Sequence, residues 1–475
     1  MNRETRKERI KQITERGNPP ETHRILWMER LEPMGAYDIP LECLVYNKYN
    51  GRILSRTKTL EIQGRTIDVE TDEGKATIER LLWESKEGRN QTTMDDIAQK
   101  GQLKVGIVTN DGIVIDGNRR LMLLNKLKKS HFRAIVLPVA LEEEPIEVER
   151  LETTYQMGED EKLGYNPIEK YLKATQLFKK LREQFSKEEA IRKIANWMGE
   201  SDGEIEDYLD VAKVIDDYLD YLNYKGIYAM ADTPNDGKED LFKYLKKWIK
   251  TFEGKGSDKG FDGYTQGDVD DLKTICFDYI RAKIGKSYDG KIFRHIADGQ
   301  KMSHFFGNKE IWTSFREDHF QFVSSAGEEV DAKYPIDYDS QNLEKSLSNR
   351  DMAFMELVQD QLTENIDKHL TKLRNKQAAH KPLKLVTDAK DSLEAIDKRH
   401  SSFNTPEVQK QLDTVAKMAF SMLDIKSPSS LLRIALQLIK SVNLSASSDP
   451  GESMSQLKEI QKTAYQMEKE LKHSS

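Results

Sequence analysis

Chemistry in this chain concentrates in five residues, Asp116-Gly117-Asn118-Arg119-Arg120, where a strand-like run, Ile113-Val114-Ile115, gives way to a helix-like one. Glycine at such a bend lets the backbone approach a ligand closely, and the N–H groups of a helix start favour an anion. Arg119 and Arg120 add planar donors suited to phosphate oxygens. Taken alone, the string is also compatible with a hairpin that ends in a solvated basic helix start.

The surrounding pattern supplies the elements that must hold this turn. Leu103 to Ile107 is expected as a strand, Asn110-Asp111-Gly112 as a hairpin turn, and Ile113-Val114-Ile115 as the returning strand. Arg119 to Lys129 has helical spacing, with Leu121, Leu124 and Leu127 as its apolar stripe. Ala134 to Leu141 is one more strand. Upstream, Ile39-Pro40 to Val45 is a short strand and turn, followed by the polar loop Tyr46 to Arg52. Residues 75 to 85 and 93 to 100 are helical, the second closing at Gly101 as a glycine cap. Strands interleaved with helices over residues 37 to 141, and helix after helix beyond Pro145, predict an α+β fold with a largely helical middle and carboxyl region.

The order of these motifs resembles the amino-terminal domain of the ParB/sulfiredoxin superfamily. There an Ile-Pro strand leads to an Asn-Pro-Arg-like loop, a helix ending in glycine, a hairpin, and a Gly-Glu-Arg-Arg turn. The counterparts here are Ile39-Pro40, Asn50-Gly51-Arg52, Ile97 to Gly101-Gln102-Leu103, and Gly117-Asn118-Arg119-Arg120. Gln156 and Tyr165-Asn166-Pro167-Ile168-Glu169 are similar to the family's Gln-Arg box and the Asn-Pro-Ile-Glu that opens its next helix. The resemblance covers about residues 37 to 222. It implies a nucleoside triphosphate, CTP or ATP, bound with magnesium, and a site drawn from Arg52, Gly101, Gln102, Asp116, Gly117, Asn118, Arg119, Arg120 and Gln156. It also implies a cytoplasmic bacterial protein of plasmid- or phage-related maintenance or defence, whose bound nucleotide controls contact with DNA or a partner. A nucleotide hydrolase, a nuclease and a degenerate scaffold are the alternatives.

Two departures bear on hydrolysis. The family's Glu in the turn is Asn118, a poorer ligand for a hard cation, and the Glu-Asn pair before Gln aligns with Thr153 and Thr154. Glu152, Glu159, Asp160 and Asp116 are the carboxylates nearby, and the sequence does not choose a catalytic or metal-binding residue among them.

The family's next module is a helix-turn-helix, and Lys187 to Ala195 followed by Met198-Gly199-Glu200-Ser201 has that rhythm. The helix that would enter the major groove, Glu204 to Leu222, carries Glu204, Glu206, Asp207, Asp210, Asp216, Asp217 and Asp220 against Lys213. Carboxylates at that density repel a phosphate backbone, which favours a packing module over a DNA reader. Among the basic clusters, Lys243, Lys246, Lys247 and Lys250, with Trp248 among them, is the best candidate for nucleic acid, against the ordinary reading of a solvated helix face.

Five segments are expected: a helical arm over 1–36, the nucleotide-binding domain over 37–145, a helical module over 146–252, a glycine-rich linker or loop over 253–268, and a helical domain over 269–475. Its carboxyl helices offer a surface for a protein partner or a second copy, with Met352, Met355, Leu357 and Leu362 expected to pack. His295, His304 and His319 fit no metal-ligand spacing and are expected at the surface or as caps. The two cysteines stand alone, which argues against a disulfide scaffold, a zinc site and the thiol chemistry of sulfiredoxins. A net charge of -7 gives no global attraction to nucleic acid. The charged opening segment lacks a signal-peptide apolar region, and no run approaches the ~18 apolar residues of a membrane span, so cytoplasm is expected.

Overall fold

The computed structural model describes residues 1–158, 166–231, 238–253, 258–283, 291–300, 303–340, 342–379, 381–422, 428–443 and 449–474. They divide into two compact units, Met1–Lys381 and Pro382–Ser475. The fold is α+β, a mixed sheet at the amino end followed by helices.

Helix α1 (Arg3–Arg16) is followed by β1 (Glu21–Trp27), β2 (Arg30–Pro40) and β3 (Val45–Tyr46). Then come α2 (Leu54–Ile62), α3 (Asp72–Ser85) and α4 (Glu87–Lys100), the strands β4 (Gly106–Val108) and β5 (Ile113–Asp116), α5 (Asn118–Lys126) and β6 (His131–Val136). The sheet order is β1-β2-β6-β4-β5-β3. β1/β2, β2/β6 and β4/β5 run antiparallel, whereas β4/β6 and β3/β5 run parallel.

Strand alternation splits the core into two layers. Val108, Val114, Phe132 and Ala134 face a layer with Ile78, Leu82, Ile97, Leu121 and Leu124 from the helices. Ile107, Ile115 and Ile135 face the opposite side, where they meet Val148 and Leu151 of α6 (Pro145–Thr153).

The helical arm expected over 1–36 is corrected. Only α1 is helical, and it docks: Arg6 is 1% exposed, donating to the Asp111 carbonyl and, through both Nη atoms, to Glu70 at 2.7 Å. Residues 21–40 form a hairpin that extends the sheet through β2 and β6. Its two-residue turn is Met28-Glu29, with φ of 47° and 62°. Such turns normally announce themselves with Asn-Gly or Asp-Gly, and that signal is missing here. The strand expected over Leu103–Ile107 begins instead at Gly106, and Leu103 is 72% exposed.

Gly117 begins α5 at φ +105°, and a Cβ there would lie 2.8 Å from the Phe132 ring, so only glycine fits. This close approach lets α5 start flush against the sheet.

After α6 come α7 (Pro167–Leu181), α8 (Lys187–Met198) and α9 (Asp202–Tyr221). Ser186 with Glu189, and Ser201 with Glu204, form reciprocal capping boxes that start α8 and α9. α9 buries Val211, Val214, Ile215, Tyr218 and Leu219 in a core shared with α10 (Lys238–Phe252), α11 (Gln266–Arg281), α12 (Lys291–Ile296), α13 (Lys309–Lys333) and α14 (Leu343–Gln377). The glycine-rich stretch is a packed loop where it is described: the Phe261 amide donates to the Phe306 carbonyl at 2.9 Å, and the Phe261 side chain is buried. Residues 254–257 of that stretch lie outside the described residues. Leu362 packs as expected, but Met352 and Leu357 face outward.

The second unit consists of α15 (Pro382–Glu394), α16 (Pro406–Met422), α17 (Pro428–Ser441) and α18 (Pro450–Ser474). Leu383, Val386, Met418, Met422, Leu436 and Tyr465 are all exposed there.

Candidate functional site

The turn that joins β5 to α5 separates its two arginines. Arg120 folds back: Nη2 pairs with Asp116 Oδ2 at 2.7 Å, and Nη1 donates to the carbonyls of Lys104 at 2.5 Å and Val105 at 3.2 Å. It ties the start of α5 to the segment before β4. The expectation of twin guanidinium groups on one anion is corrected accordingly, since these donors and the Asp116 carboxylate are engaged with each other and with backbone.

Arg119 points the other way, toward the start of α4. Its Nε donates to Oδ1 of Asn90. Asn90 is fully buried, and its Nδ2 donates to the carbonyls of Leu82 at 3.0 Å and Trp83 at 2.7 Å, which fixes the amide with its oxygen toward Arg119. The Asn90 N–H in turn reaches the Lys86 carbonyl at 2.9 Å, so Arg119 is anchored within a turn of Lys86 and beside Arg89.

Charge follows the same geometry. Burial, and then the neighbouring charges of Arg52, Arg89 and Arg119, hold the Lys86 ammonium below its ordinary pKa. Four cationic side chains therefore converge near the first turn of α4, whose dipole adds to the field. Arg52 is brought there by a loop with its own supports: Asn47 Oδ1 accepts from Tyr49 N at 3.0 Å, and Asn50 Oδ1 from Arg52 N at 3.1 Å.

The remaining expected residues are framework. Asn118 is 2% exposed; its Nδ2 donates to Val114 O at 2.8 Å and its Oδ1 accepts from Asn47 N at 2.9 Å, joining the Arg52 loop to α5. Gln102 bridges backbone, with Nε2 to the carbonyls of Lys104 and Arg133 and Oε1 accepting from Arg133 N at 2.8 Å. Gln156 is buried with Nε2 on the Ile115 carbonyl at 2.9 Å. Gly101 closes α4 at φ +76°. Asn166 caps α7, and Glu169 accepts from the Ser55 N–H at 3.2 Å and its Oγ at 2.6 Å, which ties α7 to α2. Tyr165 lies outside the described residues.

Among the carboxylates named from sequence, Asp116 is paired with Arg120. Glu152 and Glu149 share the fully buried Lys173, at 3.2 and 3.3 Å. Burial raises the Glu152 pKa, with Glu149 adding to the rise against the pull of Lys173. Glu159 and Asp160 lie outside the described residues. Among the described residues, no group of three His, Cys, Asp or Glu side chains is arranged to hold a metal ion.

The lysine row of α10 has a different fate. Lys246 pairs with Asp207 at 2.6 Å, Lys250 with Asp210 at 3.1 Å and Lys243 with Glu239 at 2.5 Å, while Lys247 stands 5.2 Å from the Trp248 ring. Lys273 of α11 takes Asp217 at 3.2 Å. Several carboxylates that make α9 a poor DNA reader thus meet lysines on neighbouring helices. The histidine expectation is corrected as well: His304 and His319 are fully buried, and His319 Nε2 lies 2.9 Å from Asp278 Oδ2. Both cysteines are buried, and burial pushes the Cys276 thiol far up.

Sequence reasoning missed Lys86, Arg89 and Asn90. Their signal was a basic pair three residues apart at a helix start, Lys86-Glu87-Gly88-Arg89, followed by a lone polar residue on a helix's inner face. No helix among the described residues is long and apolar enough to cross a membrane.

No protein-family model matches the chain, and no curated protein does. Among solved structures, the chain is similar to the C-terminally truncated chromosome-partitioning protein ParB from Caulobacter crescentus complexed with CTP-gamma-S. The match covers 45% of this chain and 97% of that one at 15% identity, with a TM-score of 0.17. At that score the match carries no residue-level comparison.

Proposed function

We propose that the amino-terminal region binds a nucleoside triphosphate, CTP or ATP, with Arg52, Lys86, Arg89 and Arg119 on its phosphates, and that occupancy changes affinity for DNA or a protein partner. The observation that carries the reading is the convergence of these four cations beside the α4 start, where burial first, and then the charges of Arg52, Arg89 and Arg119, lower the Lys86 pKa. Guanidinium groups match phosphate oxygens, and cations drawn from several segments suit a multiply charged anion. The motif order that resembles ParB-like domains supports the same ligand class and a role in plasmid- or phage-related maintenance or defence.

Binding is favoured over hydrolysis. Of the described carboxylates proposed from sequence, Asp116 is paired with Arg120 and Glu152 shares the buried Lys173 with Glu149, while Asn118 is held at both ends. The α10 lysines meet carboxylates, which favours a protein partner over DNA at that surface.

The test is calorimetry of the full chain against CTP, ATP and GTP, with and without magnesium, repeated on Arg119→Ala and Arg52→Ala. Saturable binding that both substitutions weaken is the expected result. Absence of binding to all three nucleotides, or binding indifferent to Arg119→Ala, refutes the reading.

A further inference from the structure

A second concentration of cationic side chains lies outside this cluster, in a cleft between α2, α3 and the start of α14. The cleft encloses about 290 Å³ and is lined by Arg56, Arg65, Arg80 and Lys345, with Glu84 and Glu344 as the acidic side chains of its wall. Four positive groups against two negative ones make a local excess of positive charge on a chain whose formal net charge is -7.

The cations are not saturated by their neighbours. Arg56 and Arg80 share the one carboxylate of Glu84, at 3.4 and 3.5 Å, beyond the ~2.7 to 2.9 Å of a strong charge-assisted bond. Arg65 Nη2 donates to a backbone carbonyl, that of Asp339, at 3.1 Å, which orients the group without neutralising it. The first turn of α14, a 35-residue helix whose Asn342 side chain makes no capping bond, forms part of the same wall and adds the positive end of its dipole.

We propose that this cleft is a separate binding site for a compact polyphosphate, either free or as the tail of a small phosphorylated ligand. Three guanidinium groups on different segments provide planar donors from several directions, as a multiply charged oxyanion requires. The enclosed volume suits a di- or triphosphate, and the bracketing carboxylates Glu84 and Glu344 oppose a long nucleic-acid strand lying across it. The inference does not depend on the nucleotide reading of the first site.

Titration of the full chain with inorganic pyrophosphate at low ionic strength, followed by a mononucleotide triphosphate, tests it. The key arm uses Arg119→Ala, which weakens the first site: pyrophosphate still binds in the cleft between α2, α3 and α14, and adding Arg65→Ala and Arg80→Ala weakens that binding at least tenfold. Should the multiple variant fail to fold by circular dichroism, Arg80→Gln alone, at a side chain 56% exposed, is measured instead and lowers affinity at least threefold. Retention by the mononucleotide with the same sensitivity assigns the site to a phosphorylated small molecule, and binding of pyrophosphate alone assigns it to free polyphosphate. Loss of all pyrophosphate binding in Arg119→Ala, no binding in the unmodified chain, indifference to the Arg65 and Arg80 changes, or binding only of an oligonucleotide overturns the proposal.

Discussion

Two cationic regions of this molecule look alike in sequence and differ in kind. Along α10, Lys246 and Lys250 pair with Asp207 and Asp210 of α9 at 2.6 and 3.1 Å, joining helix to helix, and Lys243 pairs with Glu239 of its own helix at 2.5 Å. At the start of α4, Arg52, Lys86, Arg89 and Arg119 come together from three stretches of chain, and burial, followed by the three neighbouring charges, disfavours the Lys86 charge. Density of basic residues along a helix therefore says little about binding. What matters is which groups the fold sets beside each cation, since burial and neighbouring charge decide how its charged form is favoured.

That contrast can be sharpened by a third cation, Lys173, which is fully buried between Glu149 and Glu152. Lys173→Ala leaves those carboxylates without their shared buried partner and is expected to cost about 3 to 5 kcal/mol in chemical denaturation. A loss under about 1 kcal/mol would place Lys173 with the exposed lysines instead.

Next in size is Arg119→Ala, expected to weaken nucleotide binding about 10- to 100-fold through loss of charge-assisted bonds, with stability little changed. Arg120→Ala does the reverse. It removes the tie among Asp116, Lys104 and Val105, lowers stability by about 1 to 3 kcal/mol, and leaves affinity within a few-fold. Equal effects of the two on affinity would break the distinction between neighbouring arginines.

Lys86 provides a pH signature. Because its folded pKa lies below the ordinary lysine value of 10.5, the ammonium loses its proton earlier than an exposed lysine as pH rises. Phosphate affinity is expected to fall through that window, and Lys86→Arg, which stays charged, removes the fall. Calorimetry between pH 7 and 10 reads this directly, and identical profiles would remove Lys86 from the site.

The smallest effects belong to α10. Lys246→Ala and Lys250→Ala are expected to change stability by less than about 1 kcal/mol each and nucleotide affinity not at all. A marked loss of affinity would erase the difference between the two regions.

Much was legible in the chain itself. The hairpin at Asn110-Asp111-Gly112, the glycine at the end of α4, and the capping signals of α8 and α9 all rest on local rules, because a turn or a cap is decided by residues within a few positions. So does the succession of strands and helices, apart from the β1–β2 hairpin, whose Met28-Glu29 turn carries no such signal.

Partnerships were another matter. Neither the opposite orientations of Arg119 and Arg120, nor the engagement of Asn118 and Gln102 with backbone, nor the arrival of Lys86 and Arg89 beside Arg52 follows from any local pattern. Residue types and helix periods depend on short-range sterics and burial, so the sequence alone determines them. Which charge meets which depends on contacts between residues tens of positions apart, and those exist only once the sheet and its helices have packed.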